Sequence, residues 1–106
     1  MLYRGDMKER APDYFAEQAT RRLGEHLLTW RKLQGLTQQQ VADRAGVSRG
    51  AVVRLENGHP GVAVDVLMRV AGAMHITDYL VEAMDPYGTD LGRARADEAL
   101  PQRVRR

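Results

Sequence analysis

Residues 37–57 read TQQQVADRAGVSRGAVVRLEN, and the fold is decided there. The pattern is two short helices joined by a tight turn. Thr37 and Gln40 form a capping box, the hydroxyl taking the third amide and the glutamine amide reaching back to the first. Apolar residues at Val41, Ala42 and Ala45 stop at Gly46, a residue free to take the left-handed conformation that reverses a chain after a helix. Ser48 then suits the N-cap of a second helix. Val41, Ala42, Ala45, Val47, Val52 and Leu55 fall on the inward faces of the pair. The outward positions are Gln38, Gln39, Arg44, Arg49, Gly50 and Arg54: amides, guanidiniums and a glycine, without a carboxylate. A helix pair with that outer face fits the major groove of DNA.

Before this pair, helical spacing runs up to Leu33 through Phe15, Ala19, Leu23, Leu27, Trp30 and Leu33. Pro12 suits its first turn and Asp13 that turn's dipole. Thr20 is a possible fresh cap and Gly24 weakens continuity, so one long helix or two short ones both fit. Gly35 stops it. After the pair, Asn57-Gly58 ends the second helix, which spans about residues 49–56, and His59-Pro60-Gly61 is a loop. A fourth helix is expected from about Val64 to Met74, with Val64, Leu67, Val70, Ala71 and Met74 inward. It has Ala63 where a cap would stand and Gly72 in its interior. Thr77 is expected to cap a fifth helix over 78–83, which ends before Pro86.

The flanks are less patterned. Residues 1–10 read as an arm, with a short strand over 1–4. Beyond Asp85 apolar density falls; residues 91–100 suit a marginal helix, and LPQRVRR an extended basic tail. The expected division is an N-terminal arm and helical extension over 1–20, a DNA-binding domain over 21–84 and a basic tail over 85–106.

Length and composition narrow the classes. At 106 residues the chain suits one small domain, and 43% hydrophobic content suits a folded one. The chain has no cysteine, which excludes disulfides and thiolate metal sites and suits the cytoplasm. No apolar run is long enough to span a bilayer, and MLYRGDMKER lacks the apolar core of a signal peptide. His26, His59 and His75 are too scattered for a metal triad, and no acidic pair has a catalytic setting. The expectation is therefore no enzyme, no metal and no cofactor. Net charge is only +2, but residues 21–54 carry seven basic and two acidic groups, whereas residues 55–90 carry one basic and six acidic. A charge block can be only a solvated face. This one coincides with the helix pair, which favours a polyanionic partner.

Residues 35–58, GLTQQQVADRAGVSRGAVVRLENG, resemble the helix-turn-helix of the Xre/Cro family of bacterial and phage repressors. The similarity covers about residues 23–84. HPGVAVDVLMRVAGAM, residues 59–74, is similar to the HipB-like antitoxin branch, whose members pair with a HipA-like kinase toxin. The resemblance implies an all-α, compact five-helix lambda-repressor-like domain flanked by short extensions. It implies a homodimer that represses transcription from a palindromic operator, its own operon included, and, in the antitoxin reading, a protein that also neutralises a kinase.

The family pattern puts Arg49, Gly50 and Arg54 where the recognition helix meets base edges. It puts Gln38 at the DNA backbone, buttressing the first reading residue, and Ser48 and Asn57 at phosphate-contacting ends. Gln39 and Arg44 complete the expected backbone set. Arg31 and Glu56 fall where a structural ion pair ties the first helix to the recognition helix. Gly50 departs from the pattern, since a side chain there often reads a base.

The residues support the same roles. An arginine in the first turn of a groove-lying helix can reach guanine O6 and N7 together; Arg49 is the first choice and Arg54, a turn further along, the second. Arg54 has an alternative role as a surface partner of Asp43 or Glu56. Gly50 would let the backbone approach the bases closely. Trp30 suits a core or edge aromatic, and Met68, Met74 and Met84 suit core or dimer packing. Dimerisation is expected through the fifth helix and the terminal extensions. The basic tail (Arg93, Arg95, Arg103, Arg105, Arg106) suits solvent, DNA backbone or an acidic groove on a partner.

Overall fold

A computed structural model describes residues 11–99 and contains six α-helices and one 3-10 turn among them. In chain order these are α1 (Tyr14–Leu33), α2 (Gln38–Ala45), α3 (Arg49–Glu56), α4 (Val64–Ala73), α5 (Thr77–Ala83), the turn Pro86–Gly88 and α6 (Asp90–Ala99). The expected strand over 1–4 and the terminal LPQRVRR lie outside the described residues. α1 to α5 supply the five helices expected of the domain. α6 packs on the 3-10 turn that precedes it. The boundary expected between residues 20 and 21 falls inside α1, and the one after residue 84 falls at the end of α5.

α1 is one continuous helix. Asp13 caps it, its carboxylate accepting from the Ala16 amide at 3.0 Å, so Pro12 precedes the helix rather than opening its first turn. Thr20 starts no new helix, because its hydroxyl donates back to the Ala16 carbonyl at 2.8 Å. Gly24 interrupts nothing and is instead required. A Cβ there would stand 2.6 Å from the main-chain oxygens of both Leu55 and Glu56. α1 therefore meets the end of α3 backbone to backbone, and only a residue without a side chain permits that approach.

The inward stripe of α1 is shorter than its periodicity suggested. Gly24, Leu27 and Arg31 are buried and Leu23 and Trp30 partly so, while Phe15, Ala19 and Leu33 are exposed. The cause is length. Twenty residues of helix span ~30 Å, whereas the eight-residue α3 spans ~12 Å. The ends of α1 therefore run past the surface they would need to cover.

The core is built on α2, α3 and α4, with Val41, Ala42, Val52, Leu55, Val70, Ala71, Met74 and Ile76 buried around Leu27. Val47 packs at its edge. Val64 is exposed, in contrast to its expected inward place, because it opens the uncapped first turn of α4. Of the methionines, Met74 is core, Met68 is partly buried and Met84 is exposed. Thr77 is the first residue of α5 rather than its cap; Ile76 holds the cap position without a side-chain hydrogen bond. Trp30 stacks on Tyr79, ring centroids 5.5 Å apart, joining α1 to α5.

Candidate nucleic-acid interface

The turn between α2 and α3 forms as its residues dictate. Thr37 Oγ1 accepts from the Gln40 amide at 3.0 Å while Gln40 Oε1 accepts from the Thr37 amide at 2.9 Å. Gly46 lies at φ 71°, and its amide and that of Val47 both donate to the Ala42 carbonyl. Ser48 Oγ accepts from the Ala51 amide at 3.0 Å. Each cap engages the third amide of its helix. The two amides ahead of it, those of Gln38 and Gln39 in α2 and of Arg49 and Gly50 in α3, have no carbonyl partner within the helix. Exposed amides at a helix N-terminus suit the oxygens of a phosphodiester.

Those N-termini face one concavity. Arg31, Leu36, Thr37, Gln38, Gln39 and Arg49 line an open depression of about 690 Å³. It brings together Gln38, Gln39 and Arg49 of the expected set and adds Thr37, which the sequence marked only as a cap. Arg44, Ser48, Gly50, Arg54 and Asn57 do not line it; all five are exposed, Arg44 on α2, Gly50 and Arg54 on α3, and Ser48 and Asn57 at the two caps of α3.

The ion pair fixes α3 from behind. Arg31 Nε donates to Glu56 Oε2 at 2.7 Å and Nη2 to Oε1 at 3.1 Å, a two-pronged contact buried between α1 and α3. The third direction of the guanidinium is also used, Nη1 donating to the Leu36 carbonyl at 2.9 Å. Gln38 Nε2 donates to Glu56 Oε1 at 3.1 Å. Its amide is thus turned to the ion pair, and not to Arg49 as a buttress. The electrostatic consequence is direct. Glu56 is the only acidic residue of α3, and its charge is neutralised on the inner side. The outer side keeps the exposed guanidiniums of Arg49 and Arg54.

Arg54 forms neither ion pair open to it as an alternative. Glu56 is taken by Arg31, and Asp43 accepts from Gln39 Nε2 at 2.9 Å. That second bond corrects the outer face read from the sequence. An exposed carboxylate, Asp43, does stand beside the amide row, one turn after Gln39.

Residues 27–78 match the family model described as helix-turn-helix. No curated protein and no solved structure matches the chain. No helix among the described residues is long and apolar enough to cross a membrane.

Proposed function

We propose that the protein is a sequence-specific repressor that binds a palindromic operator as a homodimer, a reading supported by the match of residues 27–78 to a helix-turn-helix family model. One observation carries the base-reading assignment. On the outer side of α3, Arg49 and Arg54 are exposed and have no ion-pair partner among the described residues, while the helix's own carboxylate is neutralised behind them. Guanidiniums in that state are available to guanine O6 and N7. Gln38, Gln39, Ser48, Arg44 and Asn57 stand around them for the backbone. Autorepression and a cytoplasmic site of action belong to this reading.

The test is fluorescence anisotropy with a duplex from the protein's own promoter against a scrambled duplex. Arg49→Ala and Arg54→Ala are expected to bind the promoter more weakly while keeping the affinity of the wild type for scrambled DNA. If both bind the two duplexes as the wild type does, the assignment is wrong. Affinity is expected to fall steeply and log-linearly with salt, because each neutralised phosphate releases counterions.

The dimer reading rests on α5. Tyr79 and Val81 on it and Met84 at its C-cap are exposed at 66%, 55% and 80%, and a second copy would cover them. Two recognition helices would then enter successive major grooves, about one helical turn of DNA apart. Sedimentation of Val81→Glu is expected to shift toward monomer; an unchanged dimer removes α5 from the interface.

A second reading, an antitoxin that neutralises a HipA-like kinase, is favoured by apolar surface beyond α5. Tyr87 and Leu91 are also exposed, which leaves room for a protein partner beside a second copy. Co-expression with a kinase encoded next to this gene is expected to abolish that kinase's activity; undiminished activity rejects the reading.

A further inference from the structure

We propose that Gly50 and Arg54 act as one reading unit, in which the bare backbone at Gly50 forms a notch that seats the Arg54 guanidinium at the groove-entering end of α3. The inference rests on the DNA-binding reading above. Residues four apart on a helix share a face. Helical side chains lean toward the N-terminus of their own helix, so an arginine at 54 points back over position 50. The guanidinium lies there: Nη1 is 3.6 Å from where a Cβ on Gly50 would stand, and Ser48 Oγ is 3.9 Å from the same point. No carboxylate draws it to that place, since Arg54 has no ion pair among the described residues.

The consequence is a change in which base Arg54 reads. Its Cα lies ~6 Å further along the helix axis than that of Gly50. By leaning back, the guanidinium recovers that distance and reaches the base that a side chain at position 50 would otherwise address, next to the one assigned to Arg49. The missing reading residue is thereby supplied from one turn away. The competing use of a glycine here is close approach of backbone to bases, which does not involve Arg54. Side-chain size at position 50 separates the two. A methyl would sit in ordinary contact with Nη1, whereas a leucine would occupy the space the guanidinium needs.

The experiment is selection from a pool of duplexes with a randomised core of about 20 base pairs, enough for two half-sites one turn apart. Wild type is expected to enrich two neighbouring guanines per half-site. Arg54→Ala is expected to lose one of them, Gly50→Leu and Gly50→Met to lose the same one, and Gly50→Ala to weaken it by about twofold. Replacing that guanine by 7-deazaguanine removes N7; it is expected to weaken the wild type about tenfold and to leave Arg54→Ala and Gly50→Leu indifferent. Once Arg54 is alanine, any residue at 50 is expected to leave selection at that position unaltered. The proposal is overturned if Gly50→Ala costs as much as Gly50→Leu with or without Arg54, the signature of backbone approach. It is equally overturned if Arg54→Ala or Gly50→Leu keeps the guanine. Wild type enriching no sequence overturns the DNA-binding reading itself and this inference with it.

Discussion

The two faces of α3 are built on opposite terms. The inner face is fixed several times over: Leu55 and Val52 are in the core, Glu56 is held by Arg31 and Gln38, and the last carbonyls press on Gly24. The outer face has almost no internal obligations. Arg49 and Arg54 are exposed without ion-pair partners among the described residues, and Gly50 presents no side chain at all. In the proposed function, the difference teaches how eight residues can serve as a reading head. Interactions on one side fix position and tilt, so side chains on the other can be chosen for a partner without regard to stability.

That contrast can be broken most forcefully at the ion pair. Arg31→Ala leaves Glu56 buried without its cation, and the expected loss of folding stability is about 3–5 kcal/mol, read by urea denaturation. A loss below about 1 kcal/mol would mean that the inner face is not held as described. Gly24→Ala tests the same seam without touching a charge. Alanine improves an exposed helix by about 1 kcal/mol, but here its methyl would meet two backbone oxygens at 2.6 Å. Overpacking against main chain costs about 1–3 kcal/mol, so a net loss of about 1 kcal/mol, and at most about 2, is expected. A gain would show that α1 and α3 can part freely.

The outer face should respond in the opposite currency. Arg49→Ala is expected to change stability by less than about 0.5 kcal/mol and to weaken operator binding by about 1–3 kcal/mol. Thermal melting and anisotropy on the same preparation separate the two, and a large melting shift would contradict the division of labour. The smallest effect is expected at Gly50→Ala, a gain of up to about 1 kcal/mol in stability, because its Cβ would meet nothing closer than Arg54 Nη1 at 3.6 Å. Gly24→Ala and Gly50→Ala make the same chemical change in two helices, and opposite signs are expected.

Much of this was legible in the residues. Capping is local, so Thr37 with Gln40, Gly46 and Ser48 could be read directly, and they form as read. Periodicity located α2 and α3 and most of their buried positions. It misjudged α1, because a repeat of three and four says that a face is apolar but not how far a neighbour extends along it; Phe15 and Leu33 are the result. Cap reading placed Thr77 one position early and put Pro12 in a first turn that begins two residues later at Tyr14, since several residues near a helix start compete for the cap. Gly24 was read as a weak point because propensity describes an isolated helix, and nothing in sequence announces that another backbone lies against it.

The sequence by itself determined the local elements: two capped helices, a glycine turn between them, and an outer row rich in amides and guanidiniums. These follow from dihedral preference, hydrogen-bonding groups and charge, which act over a few residues. Only the tertiary structure decided what those elements are held by and which outer groups stay free. Glu56 is neutralised by a residue 25 positions away, Gln38 turns inward to the same carboxylate, and Arg54 lies over Gly50 rather than toward Asp43. Such outcomes depend on which side chains meet across helices, and packing fixes those meetings only when the chain has closed on itself.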